Sequence, residues 1–293
     1  MSTDSNPFSS SDFSLKHKRN FRTLLGWLMT GISATFVLVA LVPLIAVLTY
    51  VLLQGFSHLR FSLFTELPPP PMVDGGGFAN AVVGTLIMVG LGALISVPVG
   101  VLAAVYLAEF SSPKVARWIR FATNILSGVP SIIIGVFAYA AFVLTTKSYS
   151  ALAGGAALSL LMLPIIIRTT DEALQIVPQD IRWASVGVGS SDYQTVLRVV
   201  LPAALPAIAT GVTLSVARAA GETAPLLFTA LFTQFWPEGL LQPTASLAVL
   251  VYNFAIVPFK NQQALAWAAS LVLVLLVLIT SILSRLATRR KVY

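Results

Sequence analysis

Long runs without a charged residue dominate this sequence and limit what it can fold into. The uncharged runs are Thr23–Ser57, Gly75–Ala108, Phe121–Thr146, Ser148–Ile167 and Asn261–Ser284. A hydrocarbon layer about 30 Å thick accepts helices of roughly 20 apolar residues, so each run is long enough to cross a bilayer. Because only 10% of residues are charged and the mean hydropathy is +0.87, the sequence predicts an all-α membrane protein rather than a water-soluble domain.

A sixth apolar stretch, residues 205–233, carries Arg218 and Glu222 in its interior. A seventh, 245–257, is bounded by prolines and short for a crossing, and we interpret it as re-entrant or interfacial. We therefore predict six transmembrane helices, at about 25–53, 79–107, 121–146, 148–167, 205–233 and 262–285.

Basic residues indicate the orientation of these spans. An even number of crossings puts the N-terminal and C-terminal basic clusters on one side, together with the basic residues of the loops after the second and fourth spans. The other side then holds Arg60, Lys147 and Lys260. By the positive-inside rule both termini are predicted to be cytoplasmic, and the net charge of +7 reflects topology rather than a nucleic-acid partner.

The predicted organisation is a disordered basic N-terminus (1–22), a transmembrane domain (23–286) and a basic tail (287–293). The first apolar run is too long for the h-region of a cleaved signal peptide, so we expect it to remain as an anchor.

Residues 168–202 form the longest polar stretch, and we expect two short helices with a glycine break. Asp180 is predicted to cap the first helix, and Gly189 permits the turn that follows. Ser191 and Gln194 have the spacing of a capping box for the second helix. From these signals alone, a capped connector is favoured over a docking element.

The same stretch resembles the loop of the type I ABC-importer permeases, in which Glu-Ala-Ala is followed after three residues by Gly and after nine more by Ile-x-Leu-Pro. The matching residues are Trp183, Ala184, Ser185, Gly189, Leu201 and Pro202. Trp183 replaces the usual acidic residue, which puts a charge contact there in doubt. Asp180, three residues earlier, is the alternative source of that charge.

Three further stretches resemble the phosphate branch of these permeases: Gly75–Thr85, Tyr106–Glu109 and Arg218–Leu226. The resemblance implies the type I ABC importer permease fold with a cytoplasmic coupling helix, in a bacterial inner membrane. It implies a second homologous permease subunit, a dimer of ATPase subunits and a periplasmic phosphate-binding protein as partners. It also implies that this chain binds no cofactor, because the partner ATPase uses ATP and Mg²⁺.

Arg218 is the first candidate for the substrate pathway. An arginine at membrane depth costs roughly 2.5–3.5 kcal/mol, so it usually faces a bundle interior or a wet cavity. Its guanidinium can donate two parallel hydrogen bonds to an oxyanion, and Glu222 would compete for it and so favour release. Thr223 lies in the same stretch, and Arg168 is a candidate exit residue. The alternatives are a purely structural Arg218–Glu222 pair and, for Arg168, an arginine that snorkels to the interface.

Other functions fit the sequence less well. The same transporter for sulfate or molybdate stays open, as does a membrane scaffold without transport. An intramembrane enzyme is disfavoured because the sequence has no Cys and no H-E-x-x-H motif. No metal site is predicted, and the phosphate-cradling G-x-x-x-x-G-K-[ST] loop of an ATPase is missing.

Overall fold

A computed structural model describes residues 21–289, in which every regular element is helical. In chain order the α-helices are α1 (Phe21–Ser57), α2 (Ala79–Val105), α3 (Pro113–Ser127), α4 (Ser131–Ala138), α5 (Leu144–Thr146), α6 (Ala151–Ile176), α7 (Gln179–Gly187), α8 (Asp192–Thr195), α9 (Leu201–Ala220), α10 (Ala224–Thr229), α11 (Leu247–Ala255) and α12 (Lys260–Arg289). A π-helical turn extends α2, another joins α4 to α5, and a third joins α8 to α9: Tyr106–Phe110, Tyr139–Val143 and Val196–Val200.

The chain divides into two compact units, residues 1–50 and 51–293, and the division falls within α1. The predicted disordered N-terminus lies outside the described residues, apart from its last two, with which α1 begins. The predicted tail likewise lies outside them from residue 290 onward.

In the second unit α2, α6 and α9 pack against one another around Met88, Leu158, Met162 and Ile166, all fully buried. Small residues allow this close packing, as is usual between membrane helices. A Cβ atom on Gly211 of α9, for example, would lie 2.3 Å from Thr169 Oγ1 of α6. Helices α11 and α12 form a second apolar cluster with the start of α2.

The predicted number of spans agrees with the structure. Five helical segments are long and apolar enough to cross a membrane, and there are six spans when the bent pair α3 and α4–α5 is counted as one. However, residues 121–146 are not one straight helix, because α3 and α4–α5 meet at 99°. Pro130, in the connection, cannot donate a backbone hydrogen bond and disfavours helical geometry in the residue before it, so the helix breaks there.

Two other boundaries differ from the prediction. Helix α6 continues past 167 to Ile176, which shortens the polar loop. The predicted span 205–233 is helical only to Ala220; a break at 221–223, the short α10 and an irregular segment, 230–246, follow. The segment 245–257 contains the nine-residue α11, whose side chains are mostly buried and which is too short to cross a bilayer.

Candidate functional site

Arg218 and Glu222 form an ion pair at the point where α9 breaks. Arg218 lies in the last turn of α9, and Gly221 ends the helix by donating its N–H to the Arg218 carbonyl at 3.1 Å. The Arg218 Nε lies 3.5 Å from Glu222 Oε1, and the side chains are 53% and 14% exposed, respectively. Glu222 is thus largely enclosed by the protein, while about half of the Arg218 side chain is exposed.

The distance between Arg218 and Glu222 indicates how strongly they interact. Charge-assisted N–H···O⁻ bonds are typically about 2.7–2.9 Å long, so 3.5 Å describes a loose contact. A guanidinium has five N–H donors in a planar fork, and one carboxylate oxygen leaves most of them available. Most donors of Arg218 are therefore available for a second acceptor, such as an oxyanion, in addition to Glu222.

The packing of α9 on α6 gives the level of Arg218 in the bundle. Ser215 donates to the Met162 carbonyl, at 3.3 Å, near the middle of α6. Arg218, one turn further along α9, lies past the middle, away from the α7–α8 end. The break places non-helical backbone inside the bundle, an arrangement that transporters tolerate where the backbone lines a substrate site.

The segment after the break is held in place by packing. A Cβ on Gly135 of α4 would lie 2.8 Å from the Pro225 Cα, so α10 lies directly against α4. Thr223, half-buried, directly precedes α10 and accepts a hydrogen bond from the Leu227 N–H through its own carbonyl, at 3.1 Å. The chain therefore has two separate helices here: α9 ends before Gly221, and α10 starts next to Pro225.

The structure does not bring Arg168 to this pair. Its Nε donates to Glu172 Oε1 at 2.9 Å, and both side chains are more than half exposed. Because Thr169 faces Gly211, Arg168 and Arg218 are separated by seven residues of α9, or about 10 Å along the helix axis at 1.5 Å per residue. They lie at different levels of the bundle.

Asp171, which the prediction did not single out, is the buried centre of a partly exposed polar cluster beside Arg168. Arg120 of α3 donates to both of its carboxylate oxygens, at 2.7 and 2.8 Å, and Gln175 donates to one at 2.9 Å. An open cavity of about 220 Å³ is lined by this cluster and by the Arg168–Glu172 pair. No local sequence signal indicates a pair 51 positions apart.

The polar loop forms the two predicted helices, α7 and α8. The predicted cap at Asp180 is wrong: α7 starts after Pro178, which suits the helix start through its fixed φ, so Asp180 falls inside the first turn. Asp180 is exposed, as are Ala184 and Trp183, the latter at 65%. Asp180 and Trp183 thus both lie on the solvent side of α7, three residues apart.

The turn between α7 and α8 has the predicted chemistry. Gly189 has a positive φ of 94°, a conformation that favours glycine. Ser191 and Gln194 form both hydrogen bonds of the capping box. Ser185 is buried and its hydroxyl lies 2.9 Å from that of Thr195, which fixes the two helices to each other. The π-helical turn then leads into α9, whose first residues are Leu201, half-buried, and Pro202, exposed.

The end of α2 contacts both helices of the loop. Arg182 of α7 donates to Glu109 Oε1 at 2.8 Å, with side chains 14% and 10% exposed, and also to the carbonyls of Leu174 and Val177. Phe110 stacks on Tyr193 of α8 with ring centroids 4.9 Å apart. We call the Glu109–Arg182 pair and this ring stack the loop clamp. The sequence had indicated Glu109 only as part of a motif and Arg182 only as a topology signal.

The glycine-rich motif at 75–85 has a structural role. Asn80 donates to the carbonyls of Thr233 and Phe235, at 3.0 and 3.2 Å, and the Thr85 hydroxyl accepts from the Leu247 N–H at 2.9 Å. A Cβ on Gly84 would lie only 2.0 Å from the Ala245 carbonyl oxygen. The start of α2 thereby holds the irregular segment 230–246, which follows the Arg218–Glu222 break.

Comparisons with known proteins agree with this architecture. Residues 96–293 match the family model described as "Binding-protein-dependent transport system inner membrane component". The chain is 38% identical over 279 residues to the phosphate transport system permease protein PstA of Yersinia pestis, covering 95% of both chains. It is 42% identical over 265 residues to PstA of Haemophilus influenzae, covering 90% of this chain and 94% of that protein. It is 33% identical to PstA 1 of Mycobacterium tuberculosis H37Rv, covering 92% of each.

Solved structures share the fold at low sequence identity. A chain of a bacterial alginate ABC transporter, in complex with an alginate-bound periplasmic protein, superposes with a TM-score of 0.64 at 14% identity, covering 90% of this chain and 94% of that chain. A chain of the inward-facing methionine transporter MetNI superposes with a TM-score of 0.58 at 21% identity, covering 73% and 94%. These matches establish the all-helical permease fold.

Proposed function

The chain belongs to the family of binding-protein-dependent transport system inner membrane components, and on that premise we propose that it is the permease subunit of an ATP-driven inorganic phosphate importer. The observation that carries the proposal is its 38–42% identity, over nearly the whole chain, to proteins named as phosphate transport permeases. The Arg218–Glu222 pair supports it physically, because the Arg218 side chain is half exposed and a guanidinium suits a phosphate oxyanion.

The orientation follows from the charges of the loops. With both termini in the cytoplasm, α7 and α8 lie at the cytoplasmic surface of a bacterial inner membrane, and the segment 230–246 faces the periplasm. Arg218 then lies somewhat beyond the membrane midplane as seen from the cytoplasm. Arg168, about 10 Å closer to the cytoplasm, is a second anion contact near the exit.

The transport cycle uses partners that this chain lacks. A second homologous permease subunit completes the pathway, and a periplasmic phosphate-binding protein delivers the anion. A dimer of ATPase subunits binds ATP and Mg²⁺ and pushes on the exposed side of α7, which carries Asp180, Trp183 and Ala184. The loop clamp passes that push to α2, and the two permeases rock from outward-open to inward-open.

The anion passes through an exchange of partners at Arg218. Phosphate replaces Glu222 as the ligand of the guanidinium on entry, and Glu222 replaces phosphate on exit. Because binding must be weak enough for release, the competing carboxylate supports flux. Glu222→Gln is then expected to slow release and lower the maximal uptake rate while phosphate binding persists.

The test is uptake of labelled phosphate by the assembled four-subunit complex carrying Arg218→Gln. We expect uptake to fall to background while the subunits still co-purify, because the residue is half exposed and its loss leaves the core intact. Lys260→Gln, an exposed residue of like charge, is the matched control and should transport normally. Normal uptake by the Arg218→Gln complex would remove this residue from the pathway.

A carrier for sulfate or molybdate is tested in the same assay. One arginine does not distinguish tetrahedral oxyanions, so selectivity depends on the delivery protein. If that protein selects phosphate, an excess of unlabelled sulfate should leave phosphate uptake unchanged. If the complex carries sulfate, the excess should inhibit it. A membrane scaffold without transport would show no phosphate-dependent ATP turnover with the ATPase subunits present.

A further inference from the structure

Helix α3 differs from the crossing helices in both direction and surface. It meets α4–α5 at 99°, so when α4–α5 crosses the membrane, α3 runs roughly parallel to the membrane plane. It is also strongly amphipathic, unlike the long apolar helices around it. A helix with these two properties suits a membrane surface better than a membrane interior.

One side of α3 is attached to the bundle. Ala116 and Thr123 are buried, and Arg120 on the same side forms its two hydrogen bonds to Asp171 of α6. These residues recur at helical spacing and so define one face. Because this face is held by the buried carboxylate, the rotation of α3 about its own axis is set, and its opposite face must point away from the bundle.

The opposite face is apolar and exposed. Trp118 is 71% exposed, Phe121 55% and Ile125 54%, and the Trp118 and Phe121 rings meet edge to face with centroids 6.0 Å apart. Trp is enriched at the level of lipid headgroups, where an amphipathic ring contacts both acyl chains and water. The alternative is that these are isolated exposed apolar side chains, which are common on protein surfaces. That alternative fits poorly because the three side chains share one face of the helix.

Two basic residues lie near the N-terminal end of this apolar face. Lys114 and Arg117 are both exposed; Lys114, in the first turn of α3 and one turn before Trp118, lies on the same face, and Arg117 lies beside it. Their charge is complementary to the anionic phospholipids of a cytoplasmic leaflet, on the side where the loop end of the bundle is proposed to lie. A protein partner would need both an acidic and an apolar surface here, whereas an anionic bilayer has negatively charged headgroups next to apolar acyl chains.

We propose that α3 is an interfacial helix that binds the anionic surface of the cytoplasmic leaflet. Trp118, Phe121 and Ile125 enter the boundary between headgroups and acyl chains, and Lys114 and Arg117 bind lipid phosphates. The assignment of α3 to the cytoplasmic leaflet rests on the proposed function. Its direction parallel to the membrane is inferred only from the bend between α3 and α4.

The direction is tested by the depth of spin labels. The natural sequence has no Cys, so single cysteines at Trp118, Phe121, Ile125 and Asn124 can be labelled in complexes with cysteine-free partners in lipid bilayers. Accessibility to oxygen and to a water-soluble nickel reagent reports depth. An in-plane helix gives similar shallow depths of about 5–10 Å at the three apolar positions and water exposure at Asn124.

Two outcomes would overturn the proposal. A depth that increases steadily from residue 118 to residue 125 means that α3 crosses the membrane. If the labels are accessible to neither reagent and become accessible when the ATPase subunits are removed, a protein covers this face. Ile132 and Phe137 of α4 are the internal control and should differ in depth, as in a crossing helix.

The charge preference is tested in vesicles of phosphatidylcholine with and without phosphatidylglycerol. Lipids retained by the complex are counted for the natural chain and for the double variant Lys114→Gln, Arg117→Gln. At about fivefold per basic residue, the double variant should lose the part of the preference for phosphatidylglycerol that α3 contributes, while the basic termini on the same side keep theirs. The matched variant Lys147→Gln, Lys260→Gln, on the other side, should keep it; equal retention by both variants would refute lipid binding by α3. Phosphate uptake enters neither test, so these results are independent of the transport assignment.

Discussion

Replacing Glu109 with Gln removes the charge from the loop clamp while keeping the shape of the side chain. In the native protein Glu109 and Arg182 are 10% and 14% exposed and 2.8 Å apart. The change leaves a buried guanidinium without its carboxylate. The expected consequence is a looser attachment of α7 to α2, and hence a weaker transmission of ATPase motion to the membrane helices.

The magnitude follows from the contacts that remain. Breaking a buried ion pair by removing one partner costs about 3–5 kcal/mol. Arg182 keeps the carbonyls of Leu174 and Val177 as acceptors, and the new amide oxygen can still accept one hydrogen bond, so we expect a cost of about 2 kcal/mol. Since 1.4 kcal/mol is a factor of ten, local opening of α7 should become about 30-fold more frequent.

Two assays measure the looser attachment of α7 to α2. Amide hydrogen exchange of residues 179–187 should accelerate by about 30-fold, while exchange in α10 should not change. The ratio of phosphate imported to ATP hydrolysed should fall, because ATPase closure no longer moves α2 fully. Glu172→Gln is the control for exchange, since its ion pair with Arg168 is more than half exposed and such pairs contribute about 0–1 kcal/mol.

A double-mutant cycle with Arg182→Gln distinguishes the pair from each residue alone. If the two residues act together, the double variant should lose little more than either single variant. Additive losses, or native exchange rates in Glu109→Gln, would contradict the role of the clamp.

Three further predictions concern single positions. Gly84→Ala places a Cβ 2.0 Å from the Ala245 carbonyl oxygen, so thermal unfolding in detergent should show a loss of about 1–3 kcal/mol; an unchanged melting temperature would contradict this packing. Ser191→Ala removes the capping-box acceptor, and local stability of α8, followed by hydrogen exchange, should fall by about 1 kcal/mol. Asp180→Asn should weaken co-purification of the ATPase subunits with the membrane subunits, and unchanged association and uptake would show that Asp180 does not replace the usual acidic residue of the loop.

The sequence alone was sufficient for the features that depend on neighbouring residues. Apolar runs without charge predicted the number of spans, because hydrocarbon requires about 20 apolar residues in a row whatever their partners are. The Ser191–Gln194 box was predicted because both of its hydrogen bonds lie within four residues. The Arg218–Glu222 contact was predicted from i, i+4 spacing, although the helix ends between the two residues.

Tertiary structure decided which of the other charges meet and where helices bend or stop. Arg120 and Asp171 are 51 positions apart and Arg182 and Glu109 are 73 apart, and no local rule connects them. Pro130 breaks the helix at the 99° bend, and the Arg120–Asp171 contact attaches α3 to α6. Helix α9 ends at Gly221, and the position of α10 after this break is set by its packing against α4. In a membrane each helix forms from its own apolar sequence, because its backbone hydrogen bonds lie within the segment. The pairing of polar groups between helices depends instead on which faces meet after the helices pack.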